Sequence, residues 1–213
     1  MPMGDPMSES IDVGQQRPRK EEILDVATSL FAERGYDGTS VNDVAERVGM
    51  RKASLFYHFA TKDALYDAVL ERIAAVMSGT IERTLTGTGT FSERTVTAAD
   101  AITRMFAENP AAARLLVREA MSWGPVARRG LLESLLRLLQ TGAAFIRGGQ
   151  EAGEFVDGSP EQLVLTCVGM HVLPFAIGSL VEAYIGTSPY SAEFVEARRA
   201  AASQHARAML VKP

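Results

Sequence analysis

Between Thr39 and Lys62 the chain reads TSVNDVAERVGMRKASLFYHFATK, and this stretch restricts the fold more tightly than any other. Val41, Val44, Ala45 and Val48 fall at i, i+3, i+4 and i+7, one apolar face of a short helix. Thr39 or Ser40 can cap that helix, since either hydroxyl can accept from an N–H two or three residues on. Gly49 supplies the permissive backbone of a sharp turn. A second helix, roughly Arg51 to Phe59, buries Leu55 and Phe59 and leaves Arg51, Lys52, Ser54, Tyr57 and His58 outside. That outer face is rich in hydrogen-bond donors and carries no carboxylate. Such a helix suits the major groove of DNA, where phosphates attract cations and base edges accept hydrogen bonds.

Around this unit the residues ILDVATSLFAERGYDGTSV (Ile23–Val41), DVAERVGM (Asp43–Met50) and SLFYHFATKDAL (Ser54–Leu65) follow in order. Together they resemble the N-terminal domain of the tetracycline-repressor (TetR) family of bacterial transcription regulators. The resemblance covers about a quarter of the chain, from Glu21 to Leu70. It implies a dimeric, all-helical repressor whose C-terminal domain binds a small molecule. By position, Asn42, Arg51, Lys52 and Ser54 match the family's base-edge contacts, while Tyr57, His58 and Lys62 match phosphate contacts. Thr39 and Ser40, at the start of the first helix, complete the candidate set. Phe56 stands where the family usually has tyrosine, so it offers only apolar contact, and Ala53 replaces a common glycine.

The net charge of -4 and pI of about 5.5 exclude a generic polyanion binder, so DNA affinity has to come from a local patch. Arg17, Arg19, Lys20, Arg51, Lys52 and Lys62 supply one. The arm Arg17–Lys20 reads equally well as a DNA contact and as a solvated lead-in to a helix. A single cysteine, Cys167, excludes an intramolecular disulfide framework and fits a reducing cytosol. The stretch 1–16 is polar and Gly/Pro-punctuated, which predicts a disordered tail without a signal-peptide pattern.

The remaining pattern is helical throughout, and the expectation is an all-α chain of about nine helices. The domains are expected at 17–64, for the helix-turn-helix head, and 65–213, for ligand binding and dimerisation. The helices are expected at 18–34, 41–48, 51–59, 62–85, 95–108, 110–123, 126–150, 160–184 and 191–211, with Thr86–Ser92 a Gly/Thr-rich loop. From Leu163 to Val181 runs an uncharged stretch of nineteen residues, long enough to suggest a membrane span. Gly169, His171, Pro174, Gly178 and Ser179 interrupt it, and a helix buried on two sides is also apolar all round, so no membrane association is expected.

Met105, Met121, Trp123, Phe145, Cys167, Met170, His171 and Phe175 are soft, aromatic or isolated polar residues on these helices. They are the candidate lining of a cavity for an apolar or aromatic effector, and equally the makings of a filled core. Pro174 should kink its helix and open space beside it. The last two helices carry small residues at close spacing and are the expected homodimer interface. No metal set, cofactor motif or catalytic constellation is found; Cys167 and His171 lie one turn apart without a third ligand, and His58 has Lys62 at i+4. The reading is a ligand-responsive repressor of bacterial cytoplasm, associated with the nucleoid, that binds a palindromic operator in double-stranded DNA as a homodimer. The alternative is a helical ligand-binding or scaffold protein with a non-functional DNA head.

Overall fold

The computed structural model describes residues 13–122 and 129–213, and side chains within its first helix from Arg19 onward. Ten helices are found among them: α1 (Val13–Arg34), α2 (Val41–Val48), α3 (Lys52–His58), α4 (Lys62–Leu85), α5 (Phe91–Glu108), α6 (Pro110–Ser122), α7 (Arg129–Glu151), α8 (Pro160–Ala176), α9 (Gly178–Ile185) and α10 (Ala192–Leu210). Among the described residues there is no strand, only an isolated antiparallel bridge between Phe155 and Val211. Two compact units meet in sequence inside α4, the first ending at Leu65 and the second beginning at Tyr66.

In the first unit the spacing of apolar residues dictates what is buried. Ile23, Ala27, Leu30 and Phe31 of α1 meet Val44, Ala45 and Val48 of α2 and Leu55 of α3 in one core. Gly35, at a φ of 76°, ends α1 in the left-handed region that side chains avoid. Val13–Gln16, expected in the tail, form the first turn of α1; residues 1–12 lie outside the described residues.

Among the described residues, two aromatic cores are found in the second unit. In one, Phe155 lies fully buried with Ala143, Ile146, Val164 and Leu210, flanked by Phe91, Phe145 and Cys167. The Phe155 ring lies so close against the backbone of Gly149 that a Cβ there would overlap it. In the other, Phe175 stacks on Phe106 at 6.1 Å and meets Tyr190 and Phe194 at 6.0 and 6.4 Å.

Two further boundaries differ from expectation. Helix α5 starts at Phe91 rather than Thr95, because Thr90 and Glu93 form a reciprocal capping box. The single helix expected over 160–184 is two, α8 and α9, bent by 77° at Ile177. Pro174 has no N–H to give the carbonyl of Met170 one turn back, and Arg198 Nη2 donates to that carbonyl instead, at 2.5 Å. Gly178 then lodges against Pro189 and Tyr190, where a Cβ would sit 3.2 Å from the proline ring. No single helix among the described residues is long and apolar enough to cross a membrane.

Candidate nucleic-acid interface

Local chemistry builds the head. Ser40 caps α2: its Oγ accepts from the Asp43 N–H at 3.1 Å, and the Asp43 carboxylate accepts from the Ser40 N–H at 2.7 Å. That backbone bond, with the Ser40 hydroxyl, holds the Asp43 carboxyl below its ordinary value. Gly49 ends α2 at φ 73°, ψ 36°, and its N–H reaches back into the last turn. Two residues later Arg51, in extended conformation, is the N-cap of α3. The turn is thus three residues long, and α3 buries Leu55 while Phe59 closes its C-terminus in the core.

The outer face of α3 carries Arg51, Lys52 and Ser54, all exposed, together with Phe56 and Tyr57, which are 39% and 72% exposed. Lys52 Nζ lies 5.8 Å from the Phe56 ring centre, so the aromatic that replaces a family tyrosine carries a neighbouring cation instead of a hydroxyl. His58, half-buried, meets Tyr57 edge-on at 5.5 Å. Lys62, at the start of α4, lies 4.1 Å above the Tyr36 ring, and the Tyr36 hydroxyl donates to Asp63. Tyr36 and Asp63 were not singled out from sequence, because their tie spans 27 residues. Asn42 is exposed on α2 and donates to Glu46.

Thr39 is the correction in this set. It is buried, and its hydroxyl lies within hydrogen-bond distance of the carbonyls of Leu30, at 3.1 Å, and Gly35, at 2.9 Å. Its side chain ties the end of α1 to the start of α2 and is withdrawn from any outside partner. The basic arm is also partly engaged: Arg19 donates to Glu22 at 2.7 Å and to the Val48 carbonyl at 3.3 Å, and Lys20 lies 5.5 Å from the Phe59 ring. The side chain of Arg17 lies outside the described residues.

Residues 23–69 of this geometry match the family described as bacterial regulatory proteins, tetR family. The head of this chain belongs to the tetR family. The TetR head is 50% identical over 48 residues to the negative transcriptional regulator IcaR of the biofilm operon of Staphylococcus aureus (strain Newman), 22% of this chain. The match spans about a quarter of that relative's length, 26%. Beyond the TetR head the likeness is one of fold. The ketosteroid transcriptional regulator KstR2 of Mycobacterium tuberculosis superposes with a TM-score of 0.78 at 19% identity, over 94% of this chain and 98% of that one. AibR, solved with isovaleryl coenzyme A and operator DNA, gives 0.74 at 16% identity over 88% and 97%.

Among the described residues, the candidate effector residues of the TetR-like fold's second unit are divided between different surroundings. Phe145 and Cys167 flank the Phe155 core, and burial pushes the Cys167 thiol up to about 11. Phe175 and His171 are buried elsewhere on α8. Burial, aided by the nearby Arg198 guanidinium, holds His171 down to about 4. Thr103 donates its one hydroxyl proton to the Ala99 carbonyl at 2.8 Å, so its 3.3 Å contact with His171 requires the N–H on Nδ1. Met105 is buried and Met170 half-buried. Met121 is 78% exposed, because it faces away from the Ala112–Leu116 side of α6, and Trp123 lies outside the described residues.

Among the described residues, none of the other seven lines either of two surface grooves in this unit. One, of about 440 Å³, runs beside Pro174 along Leu173, Ile177, Val181, Phe194 and Arg198. The other, of about 340 Å³, lies between α7 and α8. Space does open beside the proline, as expected, but the residues that line it are different ones.

Proposed function

We propose that this chain is a DNA-binding transcriptional repressor that grips a palindromic operator as a homodimer and is released by a small apolar or aromatic effector. The observation that carries the reading is the outer face of α3. It is a cation- and donor-bearing surface free of carboxylates, on a helix fixed by a three-residue turn inside a TetR head. Arg51, Lys52, Ser54 and Asn42 are assigned to base edges, with Phe56 offering a thymine-methyl contact. Ser40, Tyr57, His58 and Lys62 are assigned to the phosphate backbone, and the domain roles follow the units that end at Leu65 and begin at Tyr66.

Dimerisation is supported by an apolar strip that one copy leaves in water: Leu165, Val168 and Leu173 on α8, then Leu180, Tyr184 and Ile185 on α9. Two strips, joined by α10 of each copy, make a helical bundle. Two recognition helices about 34 Å apart then enter successive major grooves. An effector that binds only a conformation with another spacing weakens DNA binding by its differential affinity. Helix α4 carries residues of both units and is the natural lever. AibR, with its coenzyme A thioester and operator, has the same fold, which supports an effector in the second unit. In this reading the chain is a bacterial cytoplasmic regulator rather than an enzyme.

Fluorescence anisotropy on duplexes enriched from random DNA tests it across a salt series. Lys62→Ala should weaken all duplexes alike and lower the salt slope by about one. Arg51→Ala should cost about 1–3 kcal/mol and relax preference at one base. Binding that neither variant changes would leave the scaffold alternative standing.

A further inference from the structure

Asn42 is the second residue of α2, and Asn42 Nδ2 donates to Glu46 Oε1 one turn on, at 2.8 Å, with both side chains exposed. The capping of α2 is carried entirely by Ser40 and Asp43, so the Asn42 amide takes no part in it. A carboxylate only accepts hydrogen bonds, so the amide edge facing Glu46 has to be its NH₂. One N–H is then committed, and the second N–H and the Oδ1 are left for an outside partner. Adenine's major-groove edge offers the complement, an N7 acceptor beside an N6 donor. An amide free to flip would turn its NH₂ to guanine O6 or thymine O4 as readily, and a carboxylate one turn away repels those keto oxygens.

We propose that Glu46 is a specificity-determining residue of the DNA interface: it fixes the Asn42 carboxamide to read adenine at one step of each half-site and disfavours keto-bearing bases there. Glu46 acts through Asn42 and is a positioning residue. The inference rests on the DNA-binding reading above. It also accounts for a carboxylate on a face that a polyanion approaches, where charge alone would weaken binding. A pair that merely braced α2 would add a few tenths of a kcal/mol to the helix and leave base preference untouched.

The test is selection of bound duplexes from random DNA by the full chain, with Asn42→Ala, Glu46→Ala and Glu46→Gln beside the wild type and melting temperatures as a check on folding. Asn42→Ala should abolish one adenine preference per half-site, a discrimination of roughly fivefold or more. Glu46→Ala should cut that same preference by at least half, while affinity for the best site stays level or rises. Glu46→Gln, whose amide oxygen still accepts from Asn42, should restore the preference. Enriched sites with the same adenine preference in Glu46→Ala as in wild type overturn the proposal alone, as does an Asn42→Ala profile identical to wild type. A wild type that enriches no site overturns the DNA reading and this proposal together.

Discussion

Acidification should unload a defined amount of stability through His171. The ring is buried between α5 and α10, donates from Nδ1 to Thr103, and faces Arg198, whose own cation is partly desolvated. Burial, reinforced by Arg198, holds the ring down to about 4 against an ordinary 6.5. The unfolded chain therefore takes up a proton near pH 6.5 that the folded chain refuses until about pH 4. Stability from this group is fully present above pH 6.5 and drains as pH falls through that window. At about 1.4 kcal/mol per pH unit the loss reaches about 3 kcal/mol by pH 4.

The carboxyls of Asp43, Asp100 and Glu161, each held below its ordinary value, also release stability on acidification. A variant that differs only at His171 isolates the imidazole. His171→Asn keeps an N–H where Nδ1 stands and cannot titrate. Urea unfolding followed by helical circular dichroism, at fixed protein concentration and in half-unit steps from pH 7.5 to 4.5, gives both curves. The wild type should lose about 2–3 kcal/mol more than His171→Asn over that range. Parallel curves would refute the reasoning, because the folded protein would then be taking the proton as easily as the unfolded chain does.

Two further outcomes follow from packing. Gly149→Ala drives a methyl into the Phe155 ring and should destabilise the chain by about 1–3 kcal/mol in urea, with Ala144→Gly, exposed on the same helix, as a control for helix propensity. Cys167, with its thiol pushed up to about 11 and packed on the Phe155 core, should react with a thiol-directed disulfide reagent at pH 8 about a hundredfold more slowly than a free cysteine, and at the free rate in urea.

The head was legible because its rules are local. The spacing of Val41, Val44, Ala45 and Val48, a hydroxyl at Ser40 and a left-handed Gly49 lie within ten residues, and each acts on its neighbours. Thr39 was misread for the same reason: two adjacent hydroxyls before a helix look alike until the end of α1 returns to occupy one of them. The start of α5 was in principle readable, since Thr90 and Glu93 stand three apart, but the glycine-rich run around them masked the capping box.

The division of α8 from α9 was not. Pro174 announced a kink, but the uncharged run continues across Ile177, and where the helix breaks depends on partners far along the chain, Arg198 at the Met170 carbonyl and Tyr190 against Gly178. The soft residues of the second unit gave composition without placement. Phe145 and Cys167 join one aromatic core and Phe175 another, a partition set by how α5, α7, α8 and α10 pack.

A hydroxyl-radical footprint of the full chain on its selected operator tests the central claim most directly. Two protected tracts on one face of the duplex, about one helical turn apart, are the predicted pattern, with protection weakened in both by Lys62→Ala. A single tract, or protection that Lys62→Ala and Arg51→Ala leave unchanged, would contradict a paired α3 face in successive major grooves.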